Sequence, residues 1–206
     1  KKTLVFAYNK KEEMNLQGHI NFDEVLDQTK ADEFFERFEF NHPIYILYSS
    51  GTTGKPKCIT HGAGNVLIEH NKEFMLHCDI RDNEKLFYYT TTGWMMWNWL
   101  VGGLATGSSI FLFDGAHVYP KIDVLLEYCQ KKKINLFGVS AKYIDHLKNE
   151  KYNSKNLDLS SIKIITSTGS PLAEESFKYV YENIKKDVHL ASIAGGTDLV
   201  GCLVLG

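Results

Sequence analysis

Short apolar strands alternate with helical stretches along most of this chain, and that alternation narrows the fold more than any other feature. The runs LFYYT (86–90), SIFLFD (109–114), INLFGVS (134–140), IKIITS (162–167) and VHLASI (188–193) are rich in β-branched and aromatic residues, as strands are. Between them, 97–105, 122–132, 141–149 and 172–185 carry helical spacing, the last entered through Pro171. Strands are also expected at 3–8 and 44–48, a helix over 65–78, and a charged, Phe-rich helix with a connecting loop over 10–42. Strands alternating with helices imply an α/β fold, a largely parallel sheet with flanking helices.

The bulk composition excludes several classes. The chain has 206 residues, 44% of them apolar, and a formal net charge of -2, which suits a globular core and argues against nucleic acid as a partner. Lys131, Lys132 and Lys133 form the tightest cationic run and read as a solvated helix end. Cys58, Cys78, Cys129 and Cys202 make no CxxC pair and fit no zinc spacing, so free thiols in a reducing, cytoplasmic compartment are expected. The apolar stretch 94–113 is broken by Asn98, glycines and hydroxyls, and reads as buried core with no membrane span. His61, His70 and His77 read as core or surface histidines along one helix. Lys1 is not a Met and the chain stops inside the strand-like CLVLG, so part of a longer protein is expected.

Three Gly-rich turns follow apolar runs: 49–55, 167–171 and 194–198. In parallel α/β sheets ligands bind beyond the carboxyl ends of the strands, so the three turns suggest one shared site. The first turn has converging backbone N–H groups, hydroxyls and a cation in Ser50, Gly51, Thr52, Thr53, Gly54 and Lys55. That chemistry cradles phosphate, although a plain polar loop has the same composition. It is not a Walker loop, because its glycines are too close together and Pro56 follows the Lys.

YSSGTTGKPKC (48–58) resembles the signature loop of the adenylate-forming superfamily, the acyl-CoA synthetases, luciferases and peptide-synthetase adenylation domains. TSTGSPL (166–172) resembles that family's adenine-contacting turn, and AGGTD (194–198) its Thr-Glu motif, with Asp198 in place of Glu. Together with PKCITH and GWMMWNWLVGGLATG, they resemble the acetoacetyl-CoA synthetase branch. The resemblance implies that the chain is an incomplete part of the N-terminal AMP-binding (adenylation) domain. The C-terminal lid domain, with its catalytic Lys, and the ribose-binding Asp would lie outside residues 1–206, and these residues alone would show little or no turnover.

The implied reaction joins a small carboxylic acid to ATP as an acyl-adenylate and then transfers the acyl group to CoA. By the resemblance, Ser50 to Lys55 would hold the β- and γ-phosphates. Gly169, Ser170 and Pro171 would line the adenine. Thr197 would bond the α-phosphate, and Asp198 would hold Mg²⁺. Gly195 and Gly196 would help Thr197 hold the nucleotide, and Trp94, Met95, Met96 and Gly195 would border the acyl group. Acetyl-CoA synthetases carry bulky Trp residues where this chain has Ala194, Gly195 and Gly196, which implies room for an acid longer than acetate, such as acetoacetate. Residue by residue, other readings remain: a strand-to-helix turn for 169–171, a cap for Thr197 and Asp198, core packing for Trp94 to Met96. A synthetase for another short- or medium-chain acid, or a nucleotide-binding module without catalysis, would fit the same residues.

Overall fold

In the computed structural model of the chain, the described residues are 3–6, 18–30, 34–49 and 54–206. They divide into two compact units, residues 1–38 and 39–206.

In the first unit, β1 (Leu4–Val5) pairs in parallel with β2 (Ile20–Asn21), and α1 (Phe22–Gln28) follows. Asn21 caps α1, its side-chain oxygen accepting the Asp23 N–H at 2.9 Å, and Asp23 and Glu24 lie in the first turn, where the helix dipole favours acids. Within the expected region 10–42, α1 is the helix found among the described residues. Phe34, Phe35 and Phe38 are exposed and lie outside any helix.

The second unit opens with an antiparallel hairpin of β3 (Pro43–Ser49) and β4 (Lys57–Gly62), in register from Tyr45 opposite His61 to Ser49 opposite Lys57. Strand β3 therefore pairs with β4 in a sheet of its own. This corrects the expectation that the strand before the first Gly-rich turn belongs to the parallel sheet. Helix α2 (Ala63–Lys72) runs directly into a π-helical turn over Glu73–His77. His61 belongs to β4, so the three histidines do not share a helix.

The parallel sheet has five strands in the order β6, β5, β7, β8, β9: β5 (Lys85–Tyr88), β6 (Ser109–Phe111), β7 (Leu136–Ser140), β8 (Ile164–Thr168) and β9 (His189–Ser192). Helices α3 (Met95–Gly102), α4 (Val124–Lys132), α5 (Ala141–Asn149) and α6 (Glu174–Tyr179) connect or flank them. Lys131 and Lys132 close α4, and Lys133 caps it in a left-handed conformation, a solvated end as expected. Ser140 caps α5 by accepting the Tyr143 N–H. Helix α6 starts at Glu174 and not directly after Pro171: the Leu172 N–H is held by the Ser192 hydroxyl at 3.1 Å, and Ala173 is extended.

Both faces of the sheet are buried, so its strands read as continuous apolar runs. Phe137, Val139 and Ile165 pack with α4 and α5 on one face. Leu136, Ile164 and Tyr88 pack with Phe74, Met96, Trp99 and Leu100 on the other. Fully burying each such side chain contributes about 1.5–3 kcal/mol. Gly138 is required here, since a Cβ would stand 2.0 Å from the Tyr88 ring. After β9, the chain forms a second hairpin of β10 (Ala194–Gly196) and β11 (Gly201–Val204), which closes the second face. From β5 the chain passes first to β6 on one side and then to β7 on the other. Such a reversal leaves a crevice at the carboxyl ends of the strands.

Candidate active site

The carboxyl edge of β8 and β9 is shaped by backbone constraints. Gly169 takes φ +88°, a conformation that suits glycine, and turns the chain away from β8. The Ile193 N–H donates to the Ser167 carbonyl at 2.7 Å, and Ser192 holds Leu172, so the turns after the two strands are fixed to each other. Across from them, Trp94 caps α3 and directs Met95 and Met96 toward the same edge.

A cavity of about 380 Å³ forms there. Trp94, Met95, Met96, Gly169, Ser170, Pro171, Gly195, Gly196 and Thr197 all line it. Thus two of the three turns named from the sequence meet at one cavity with the aromatic stretch. Ser50, Gly51, Thr52 and Thr53 lie outside the described residues. Gly54 and Lys55 form an exposed bend before β4, and neither lines the cavity. Asp198 is exposed and lines an adjoining groove of about 480 Å³ with Thr60, His61 and Glu69. Its accessible carboxylate is the kind of oxygen donor Mg²⁺ takes alongside phosphate and water. Among the described residues, no group of three or more His, Cys, Asp or Glu could hold a metal ion, and no helix is long and apolar enough to cross a membrane.

Glycine at 195 has a backbone reason. A Cβ there would stand 2.2 Å from the Gly201 carbonyl oxygen, so the β10–β11 hairpin excludes a side chain regardless of any pocket. At Gly196 the nearest atom a Cβ would meet is an Asp198 carboxylate oxygen at 4.0 Å, and the space is open.

Several site residues escape a reading of the sequence. His61 Nε2 donates to the Thr197 carbonyl at 2.8 Å, and His70 Nε2 donates to the Val200 carbonyl at 2.7 Å. A carbonyl only accepts, which fixes the proton on Nε2 in both rings. Burial holds the His70 imidazole below its usual pKa, and its Nδ1 has no partner. Glu73 is 1% exposed and accepts from the Trp99 indole N–H at 2.5 Å and the Cys202 N–H at 2.6 Å. It therefore ties α3 to β11, two walls of the cavity, and burial pushes its carboxyl up. The signal in the sequence is EHNKE (69–73), polar side chains on the buried stripe of an amphipathic helix. Thr168, Ser192 and Cys202 also line the cavity. All four cysteines are free, Cys58 exposed and the others buried, and burial raises the pKa of the Cys202 thiol, which stays protonated.

Comparison with known proteins gives these groupings a context. The family described as AMP-binding enzyme matches residues 5–204. Acetoacetyl-coenzyme A synthetase of Rhizobium meliloti (strain 1021) is 56% identical over 173 residues, 84% of this chain and 27% of the relative. Acetoacetyl-CoA synthetase of Gallus gallus is 42% identical over 215 residues, 99% of this chain and 32% of the relative. Malonamoyl-CoA synthetase vrtB of Penicillium aethiopicum is 42% identical over 181 residues, 81% of this chain and 25% of the relative. The solved acetoacetyl-CoA synthetase from Streptomyces lividans superposes with a TM-score of 0.89 at 36% identity, covering 100% of this chain and 32% of that one. The chain spans about a quarter to a third of the length of these relatives.

Proposed function

This chain belongs to the AMP-binding enzyme family, and on that premise we propose that the protein carrying it activates a short 3-oxo acid, acetoacetate foremost, with ATP and passes the acyl group to CoA. The cavity shared by the Gly169–Pro171 turn, the Gly195–Thr197 turn and the Trp94–Met96 wall carries this reading. Both acids in the relatives' names, acetoacetate and malonamate, have a second carbonyl two carbons from the carboxylate, which supports the substrate class.

In the proposed reaction, a carboxylate oxygen attacks the α-phosphorus of ATP, and pyrophosphate leaves. The CoA thiol, losing its proton, then attacks the acyl carbon, and AMP leaves with the bonding pair. Displacement at phosphorus depends chiefly on positioning and charge neutralisation. Ser50 to Lys55 would receive the β- and γ-phosphates, Gly169, Ser170 and Pro171 the adenine face, and Thr197 the α-phosphate. The acyl group would lie against Trp94, Met95, Met96 and Gly195. Asp198 would hold Mg²⁺, which when bound neutralises phosphate charge. A cytoplasmic setting, where cysteines remain thiols, goes with this reading.

The test is pyrophosphate release by the full-length protein with ATP, Mg²⁺ and CoA across a panel of short acids. Acetoacetate should give the highest kcat/KM. A protein that prefers a saturated acid, or that binds ATP and releases no pyrophosphate with any acid, would overturn the proposal.

A further inference from the structure

Thr168 is the last residue of β8 and lines the cavity. Its Oγ1 lies 2.9 Å from the hydroxyl of Tyr88, the last residue of β5. Tyr88 is 2% exposed, and burial pushes its phenol well above the usual range, so it keeps its proton at neutral pH. Each hydroxyl brings one proton and can also accept. A phenol is the more acidic and so the stronger donor of the pair. Either hydroxyl can donate in this pair, and with the Tyr88 proton directed to Thr168 the Thr168 proton is left for a third group.

The sheet's alternation says where that group lies. Ile164, Thr166 and Thr168 share the face that carries Tyr88, Met96, Ile193 and Cys202. Ser192 falls on the opposite face, where its oxygen accepts the Leu172 N–H. Of the two β8 hydroxyls on that face, Thr168 is the one that lines the cavity, on the side of Met95, Met96 and Cys202, a wall of thioethers and a protonated thiol. A carbonyl brought against such a wall loses its water and needs a donor, whereas a methylene at the same place needs none.

We propose that Thr168, backed by Tyr88, donates the hydrogen bond that recognises the second carbonyl of a 3-oxo acid and so selects such acids over saturated acids of equal length. This rests on the reading of the cavity as the acyl site.

The experiment compares kcat/KM for acetoacetate and butyrate in the full-length protein. Thr168→Val keeps the shape and removes the donor, and should lower the acetoacetate-to-butyrate ratio about 10- to 100-fold. Thr168→Ser should restore most of the ratio, and Tyr88→Phe should lower it by about threefold by removing the backing donor. If the Val variant does not fold, Thr168→Ala carries the same expectation. An unchanged ratio in Thr168→Val or Thr168→Ala would overturn the role of Thr168. A wild-type protein that activates no 3-oxo acid would instead sink the proposed function and leave Thr168 without a carbonyl to read.

Discussion

His61 and Thr197 stand 136 positions apart in the chain, yet the His61 Nε2–H meets the Thr197 carbonyl oxygen at 2.8 Å. One histidine thereby fastens β4, the strand that leaves the signature hairpin, to the turn that lines the cavity. His70 repeats the contact three residues further along the turn, at Val200. Replacing His61 with Ala should lower kcat about tenfold, since a neutral hydrogen bond contributes about 0.5–1.5 kcal/mol and 1.36 kcal/mol is a factor of ten. Pyrophosphate release at saturating ATP measures this, with thermal unfolding as the control for a general loss of structure.

Glu73 should govern stability and its pH dependence. Glu73→Leu strands the Trp99 and Cys202 N–H groups and should cost more than Glu73→Gln, which turns an amide NH₂ toward one of them at about 1–3 kcal/mol. Burial raises the carboxyl above the usual 4.5, so the folded chain keeps the proton after the unfolded chain has released it. Wild type therefore loses stability as pH climbs from the usual value through the raised one. Denaturant unfolding across that window should show this slope in wild type and a flatter one in Glu73→Gln.

Two glycines should respond differently to a methyl group. Gly169 has open space around it and a positive φ, so Gly169→Ala should cost about 1–2 kcal/mol of backbone strain. Gly195→Ala meets the Gly201 carbonyl and must displace β11, so its cost should be larger and should include loss of acid binding. Thermal unfolding and KM for the acid separate the two.

Met95 should set acyl length. It lines the cavity and is half-buried, so Met95→Ala enlarges the space with little loss of core. The kcat/KM ratio of a six-carbon to a four-carbon acid should rise about tenfold, since each methylene in an apolar pocket is worth about 1–3 kcal/mol.

The sheet is legible in the sequence because strands buried on both faces carry apolar residues in succession, as at Leu136 and Phe137 in β7 and Ile164 and Ile165 in β8. Strand β4 is not, since Lys57, Cys58, Thr60 and His61 carry no hydrophobic alternation and only the pairing with β3 makes them a strand. The π-helical turn at 73–77 leaves no mark in side-chain periodicity either. The turns lining the cavity are readable from glycine and proline. Glu73, His70 and Tyr88 are harder, because their partners are backbone groups, an indole and a hydroxyl far away in the chain. Thr168 lies inside the motif TSTGSPL, yet only the fold shows that its hydroxyl meets that of Tyr88.

Because successive strands are added first on one side of β5 and then on the other, the notch at the strand ends follows from strand order and would exist with many different side chains around it. Residues at its lip, such as Thr168 and Met95, could change with the acid if the proposed function holds, while Leu136 and Ile164 go on holding the sheet together. Selectivity and foldability thus occupy separate addresses in this chain. A related protein could change its diet by a handful of exchanges at the strand ends and leave its architecture untouched.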